Sequence, residues 1–242
     1  MKFVLTNART LIGGGDLSGD VNEVGISATR AEIDVTNYNS GGWNEYIAGL
    51  GQAKLTVNGF WEAGSLGVVD DNAWANFAAL GGVTVAPQGA ADQALCYLTN
   101  VLESSYDVWG KVGEAASFKL AASSSWPLVR GVIALPPGNA LTASGTGTIN
   151  NLGAVATGQY LYANLNALSF AGTSPSIAVV VQSAATSGFG SPTTRITFTT
   201  ATAAGGQIAR VAGPITDAYW RVSYTVTGTT PSILAGVSFG IQ

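Results

Sequence analysis

The chain has 242 residues, with 14 acidic side chains, 10 basic ones and no histidine; charged residues are 10% of the total and hydrophobic ones 47%. A soluble domain usually carries about 25% charge, yet no stretch here approaches the ~18–20 apolar residues of a spanning helix. The composition therefore describes a soluble chain with too little charge to keep its own surface wet, and no membrane insertion is expected. Without histidine there is no Ser-His-Asp or Cys-His system, no HExxH zinc site and no imidazole titrating near neutral pH. Cys96 is the only cysteine, so an intrachain disulfide and a Cys₄ metal site are excluded. Flanked by Leu95 and Tyr97, it reads as an inert core thiol.

In chain order, Met1–Asn7 has too short an apolar core for a signal peptide, so synthesis inside the cell is expected. The stretch Gly13-Gly14-Gly15-Asp16-Leu17-Ser18-Gly19-Asp20-Val21-Asn22-Glu23 is the most motif-like. Its glycine spacing is wrong for a dinucleotide site, and Val21 and Ser27 stand where an EF-hand needs glycine and glutamate. A mobile acidic loop is the better reading, with a casual cation site from Asp16, Asp20 and Glu23 as the sharper one.

Period-two alternation follows. Ile33 and Val35 oppose Glu32, Asp34 and Thr36, and Leu55 and Val57 oppose Lys54, Thr56 and Asn58; this marks half-buried strands. Lys54 is a plausible partner for Glu32 and Asp34. Between them, Trp43, Tyr46, Ile47 and Leu50 have helical spacing amid glycines, which predicts a single turn inside a loop. Asp70-Asp71-Asn72 offers an N-cap, Trp74, Phe77 and Ala78 recur at i, i+3, i+4, and Gly81-Gly82 supplies a stop. That predicts a short helix over Asp71–Leu80 with its aromatic face packed on a sheet. Further strands are expected at Ala94–Asn100, Ser105–Trp109, Ala115–Ala122 and Leu128–Leu135.

Pro136-Pro137-Gly138 punctuates the chain as a linker, and charge changes there. Residues 1–135 hold 13 acids and 7 bases, a net of −6; residues 136–242 hold Asp217 against Arg195, Arg210 and Arg221, a net of +2. Two domains are expected, 1–135 and 136–242. The second reads as strands throughout (Tyr160–Phe170, Ser176–Ser183, Thr193–Thr200, Ala218–Thr227 and a final one at Ala235–Ile241), as in an immunoglobulin-like or jelly-roll β-sandwich. Trp220 belongs to an apolar strand face and is expected in the core, while Tyr219 and Arg221 are candidates for surface recognition. Paired carboxylates of the glycosidase kind have no support, and ten scattered cations oppose nucleic-acid binding. The chain is expected to be no enzyme and to need no cofactor or metal.

The segments Ala31–Asn37, Gly41-Gly42-Trp43-Asn44-Glu45-Tyr46-Ile47-Ala48-Gly49-Leu50 and Ala53–Trp61 resemble the major tail (tail tube) proteins of long-tailed, non-contractile bacteriophages. The shared pattern is a strand ending in Asp-Val-Thr, a glycine-rich loop closing on Gly-Leu, and a strand ending in Gly-x-Trp. The resemblance covers roughly residues 1–135 and implies a mainly β fold: a tail-tube-type barrel or sandwich with one short flanking helix. The second domain is similar to sandwich modules that decorate such tubes. The implied function is a virion structural protein, made in the host cytoplasm, whose hexameric rings stack into a tube for genome ejection. Its implied partners are further copies, other tail proteins and DNA that passes without specific binding. On that footing Glu32, Asp34, Lys54, Thr56 and Asn58 are candidates for the lumen face, and Trp43, Glu45, Tyr46 and Leu50, in the loop Asn37–Gly51, for contact between rings. The acids of the first domain would then make a DNA-repelling channel. The alternative is a receptor- or glycan-binding tail or fibre module that uses its C-terminal sandwich.

Overall fold

Strands dominate the computed structural model, which describes residues 4–64 and 68–242. In chain order they are β1 (Arg9–Ile12), β2 (Gly15–Asp16), β3 (Val21–Asp34), β4 (Tyr46–Phe60), β5 (Leu80–Ala86), β6 (Leu95–Trp109), β7 (Ser117–Ser124), β8 (Val129–Leu135), β9 (Gly145–Thr146), β10 (Asn150–Asn151), β11 (Tyr160–Ala184), β12 (Thr193–Thr197), β13 (Gly205–Ala212) and β14 (Tyr219–Ile241). Among the described residues there is one α-helix, α1 (Val69–Asn76), between β4 and β5, and one short 3-10 turn at Leu17–Gly19. The fold is mainly β, as the alternation predicts, and all the strand pairs are antiparallel.

Several expected elements merge. The segments 94–100 and 105–109 are one 15-residue strand, β6, carried past a bulge between Glu103 and Ser105. Likewise β11 and β14, of 25 and 23 residues, form one long antiparallel pair bent by bulges around Ala167–Ser176. Bulges add a residue and bend a strand without ending its pairing, so local sequence reads them as breaks.

Two segments differ in kind. The stretch from Tyr46 to Leu50 is strand, not a helical turn, because β3 lies alongside and Ile33 and Ile47 stand directly opposite each other. The helix ends at Asn76 and Gly81-Gly82 lie within β5. Its aromatic face also points the other way: Trp74 and Phe77 are 73% and 45% exposed, while Val69 and Ala73 are buried. Periodicity finds a helical face but does not say which side meets the core, and here small residues allow closer packing on the sheet. Asp70 and Asp71 are in the first turn, and no side chain caps the N-terminus.

The buried apolar residues form three clusters. One lies under β4 and β7, with Leu55, Val57, Phe118 and Leu120 packed on Val69 and Ala73 of α1. A second packs against the long β11–β14 pair, around Leu165, Ile177, Val181, Trp220 and Phe239. The third draws on both halves of the chain, joining Cys96, Leu98 and Ile133 to Tyr162. Pairing also continues across the Pro136-Pro137 segment, since β14 lies beside β8 with Val237 opposite Leu135. A buried polar seam reinforces the junction: Asn164 Nδ2 donates to Thr84 Oγ1 at 2.9 Å, and the Thr84 and Ser238 hydroxyls are 2.7 Å apart.

The three glycines at 13–15 belong to this seam. Gly13 and Gly14 have φ of +55° and +91°, and a Cβ on Gly14 would fall 2.3 Å from the backbone of Gly205. Only glycine tolerates both the left-handed backbone and that approach. The Gly14 N–H donates to Asn166 Oδ1 at 3.2 Å.

Candidate assembly surface

The face and edges of one sheet, β3-β4-β7-β6, form the candidate site. Residues directly opposite in antiparallel strands share a face, so the register aligns three rows across it. These are Glu23–Asn58–Lys119–Asp107, Gly25–Thr56–Ala121–Ser105 and Ser27–Lys54–Ser123–Leu102. The intervening residues Leu55, Val57, Phe118, Leu120 and Ala122 point into the core. The solvent face is therefore small and polar at its middle, and Asn58 Nδ2 donates to Glu23 Oε2 at 2.7 Å. Below it, Phe60 and Trp109 flank Ser117, both more than half exposed.

Lys54, Thr56 and Asn58 thus lie together. Glu32 and Asp34 do not join them: the bulge between Arg30 and Glu32 puts its extra residue on β4, so β3 keeps its own alternation there and carries both acids on the face of Ile26 and Ala28. Lys54 stands opposite Ser27 and pairs with neither acid; Glu32 stands opposite Ala48 and Asp34 opposite Tyr46. The Asp34 carboxylate accepts from the Thr36 N–H at 2.8 Å, and hydrogen bonding to Thr36 holds its pKa below the ordinary value.

Charge on the solvent face is balanced, with Glu23 and Asp107 against Lys54 and Lys119, in place of an acidic lining. Other acids of the first half are occupied elsewhere. Asp70 accepts from the Trp61 indole and the Tyr106 hydroxyl, each at 2.9 Å, and Asp71 from the Gly64 N–H at 2.9 Å. Asp16 binds Arg9 and Ser18, and the described residues hold no group of three acids or thiols that could grip a metal ion. Glu103 is the outlier. It is 3% exposed, both carboxylate oxygens lack partners, and burial pushes its pKa up to about 8.

Beyond Ala28 and Ala53, β3 and β4 have no third strand beside them, so residues 28–53 project as a two-stranded arm. It carries Trp43, Glu45, Tyr46 and Leu50 together, with Trp43 82% and Leu50 90% exposed. Its turn is built locally: Thr36 Oγ1 accepts from the Glu45 N–H, and the Val35 N–H donates to the Glu45 carbonyl, both at 2.9 Å. Ile33, Val35, Tyr38 and Ile47 are exposed as well. A two-stranded ribbon with bare apolar side chains is marginal alone.

Among the described residues, β3 is open along its outer side and β6 is open from Ser104 on: β3 pairs only with β4, and Ser104–Trp109 of β6 pairs only with β7. The last acceptor before that free edge, the Glu103 carbonyl, is taken by the Ala78 N–H at 3.1 Å.

In the second half, Arg221 is already engaged. Its Nε donates to Gln182 Oε1 at 3.1 Å and its guanidinium lies 4.3 Å from the centre of the Phe189 ring. Tyr219 is half-buried opposite Ala184 and Asn151. Trp220 is fully buried in the core, as expected, with its indole N–H on the Gly153 carbonyl at 2.9 Å. Cys96 is also buried, and desolvation pushes its thiol up to about 12. What sequence reasoning missed were Glu23, Ser27, Lys119 and Asp107, which share the polar face, and the outward turn of Trp74 and Phe77. Alternation was present in each of those strands, but only register tells which strand lies beside which.

No family model matches the chain, and no curated protein matches it. Among solved structures it is similar to a chain of the virion of a native gene transfer agent particle, at 21% identity over 49% of this chain and 92% of that one, with a TM-score of 0.41. It is also similar to the SPP1 tail tube protein, at 11% identity over 52% and 78% with a TM-score of 0.42. The Dit protein of SPP1, described as a hub adsorption apparatus of phages infecting Gram-positive hosts, matches at 10% identity over 97% and 99% with a TM-score of 0.35. Two of these three neighbours are described as a phage tail tube and a phage hub protein, and all three TM-scores are below 0.5.

Proposed function

We propose that this chain is a structural, non-enzymatic subunit of a phage-type tail, whose copies join edge to edge into rings that stack into a tube. The observation that carries the reading is the pair of open edges on one antiparallel sheet. β3 and β7 run one way and β4 and β6 the other, so β3 of one copy laid against the free edge of β6 in the next continues the antiparallel order. The contact is heterologous, and repeating it closes a ring when the rotation allows. Closure removes the edges that otherwise aggregate.

In the hexamer implied by the resemblance, four strands from each copy give a barrel of 24. At about 4.8 Å per strand that barrel is at least roughly 37 Å across its backbone, wide enough for a nucleic-acid duplex. The polar face with Lys54, Thr56, Asn58, Glu23 and Lys119 is the lumen in this arrangement. Its small side chains and balanced charge offer DNA few fixed attachments, because strong binding needs clustered cations. The arm, with Trp43, Glu45, Tyr46 and Leu50, reaches the next ring, and residues 136–242 form the outer domain. Glu32 and Asp34 lie on the arm's other face, outside this lumen.

Electron microscopy of the concentrated protein is the direct test: rings or tubes are expected, and a monomer under all conditions overturns the reading. Proline at Gly25 and at Ala28, tested singly, probes the edge. One of the two removes an N–H facing β4 and lowers the melting temperature; the other leaves melting unchanged and abolishes rings.

A further inference from the structure

The shoulder where α1 runs into β5 presents a second apolar surface that the ring reading leaves without a use. Trp74 and Phe77 stack with ring centres 6.1 Å apart and planes 9° from parallel, both exposed. Leu80 stands opposite Leu102, and these are 61% and 39% exposed. The Ala78 N–H on the Glu103 carbonyl fixes this shoulder at the point where the free edge of β6 begins.

We infer that the shoulder is the seat for Ala28–Asp34, the β3 side of the arm, from the neighbouring copy within the same ring, which leaves the arm's tip free to reach the next ring; the inference rests on the edge-to-edge reading above. Three observations single out that occupant. The first is length: β3 has 14 residues, but the free edge of β6 runs only from Ser104 to Trp109. Most of a docked β3 must therefore continue past that edge.

The second is direction. An antiparallel neighbour runs from Trp109 toward Ser104, so its arm end leaves β6 beside Leu102 and Phe77. Within one chain the rows level Glu23 with Asp107 and Ser27 with Leu102; a neighbour entering at the same level carries Ala28–Asp34 across the shoulder. Residues on one face of that strand, Ala31 and Ile33, then adjoin Leu80 and Leu102. Residues on the other, Arg30 among them, adjoin Trp74 and Phe77.

The third is charge. The helix carries Asp70 and Asp71 in its first turn and no base in its last. Arg30 is exposed and forms no salt bridge among the described residues. A guanidinium on an aromatic face is favourable, more so once water is excluded, and the acids beside the stack strengthen it.

The test compares assembly of the full chain with that of Trp74→Ser/Phe77→Ser and Arg30→Gln. The aromatic pair is expected to raise the concentration needed for rings by roughly tenfold or more and Arg30→Gln by roughly threefold, with melting unchanged because all three side chains are exposed. A second measurement does not depend on losing a contact. Arg30→Cys and Trp74→Cys, combined in one chain and treated with a short bismaleimide, should give a ladder of covalent oligomers; buried Cys96 stays unreactive. Wild-type rings with unchanged variant thresholds and no ladder overturn this contact alone. A wild-type chain that never assembles overturns the ring reading and this contact with it.

Discussion

The two halves of the chain treat their large apolar side chains in opposite ways. Among the described residues, the exposed large hydrophobics, from Val4 to Val112, all fall before residue 113. After residue 136 such side chains turn inward around Trp220, Ile177 and Phe239. The core of the second half takes in Ala134 and Leu135 and buries its large apolar side chains within the chain, whereas the first half keeps aromatic residues on its surface, at the arm, the shoulder and the lower end of the sheet. On the ring reading proposed above, that asymmetry and the low surface charge are what a subunit that buries surface against copies of itself would have.

The difference can be broken most strongly in the second half. Trp220→Ala should cost about 3–5 kcal/mol, read by thermal or urea unfolding, because it empties a filled site and strands the Gly153 carbonyl. The arm gives the contrast: Trp43→Ala should leave unfolding within about 0.5 kcal/mol of wild type while weakening assembly in sedimentation.

Next in size is Glu103. Its folded pKa of about 8 lies above the ordinary 4.5, so the folded state holds the proton more tightly than the unfolded one. Stability from this site is full below pH 4.5 and declines as pH rises toward about 8. Glu103→Gln should remove that decline, leaving the variant more stable than wild type at pH 9 by a few kcal/mol, measured by urea unfolding across pH.

The opposite sign belongs to Asp217, the single acid of the second half. It accepts from the Ser183 hydroxyl at 2.7 Å and from Arg195 at 3.0 Å, which lowers its pKa below 3.8. Its contribution is present above 3.8 and disappears as pH falls through the lowered value. Asp217→Asn should cost about 1–3 kcal/mol at neutral pH, and the gap to wild type should close in acid. Smallest is Arg210, whose guanidinium lies 4.8 Å from both the Trp126 and the Tyr160 ring centres and ties the two halves together. Arg210→Ala should lower stability by about 1 kcal/mol.

The shared sheet sharpens the comparison further. Ending the chain at Leu135 removes β14 from beside β8 and takes Tyr162 from the third core. Residues 1–135 alone are expected to lose a cooperative melting transition, despite the proline punctuation that follows them. A sharp transition in that fragment would show that the halves fold independently.

Strand positions were legible in the sequence because alternation is local. Leu55 and Val57 against Lys54, Thr56 and Asn58 sort to core and solvent with no knowledge of the partner strand. The buried Trp220 follows from the same pattern, and the burial of Cys96 from the apolar run around it. Less was legible at the arm, where helical spacing of Trp43, Tyr46, Ile47 and Leu50 competes with strand geometry and pairing with β3 decides. Nor could alternation show that Glu32 and Asp34 lie across the strand from the face that holds Lys54.

The sequence by itself determined a mainly β chain without histidine chemistry, its short helix, and the concentration of charge in its first half. Those features depend on residue type and on periods of two or 3.6. Only the tertiary structure decided which strands are neighbours, which edges stay open and which way Trp74 and Phe77 point. Register and burial are set by residues far apart in the chain, as when Thr84 meets Asn164 or Gly14 meets Gly205, and no local period encodes them.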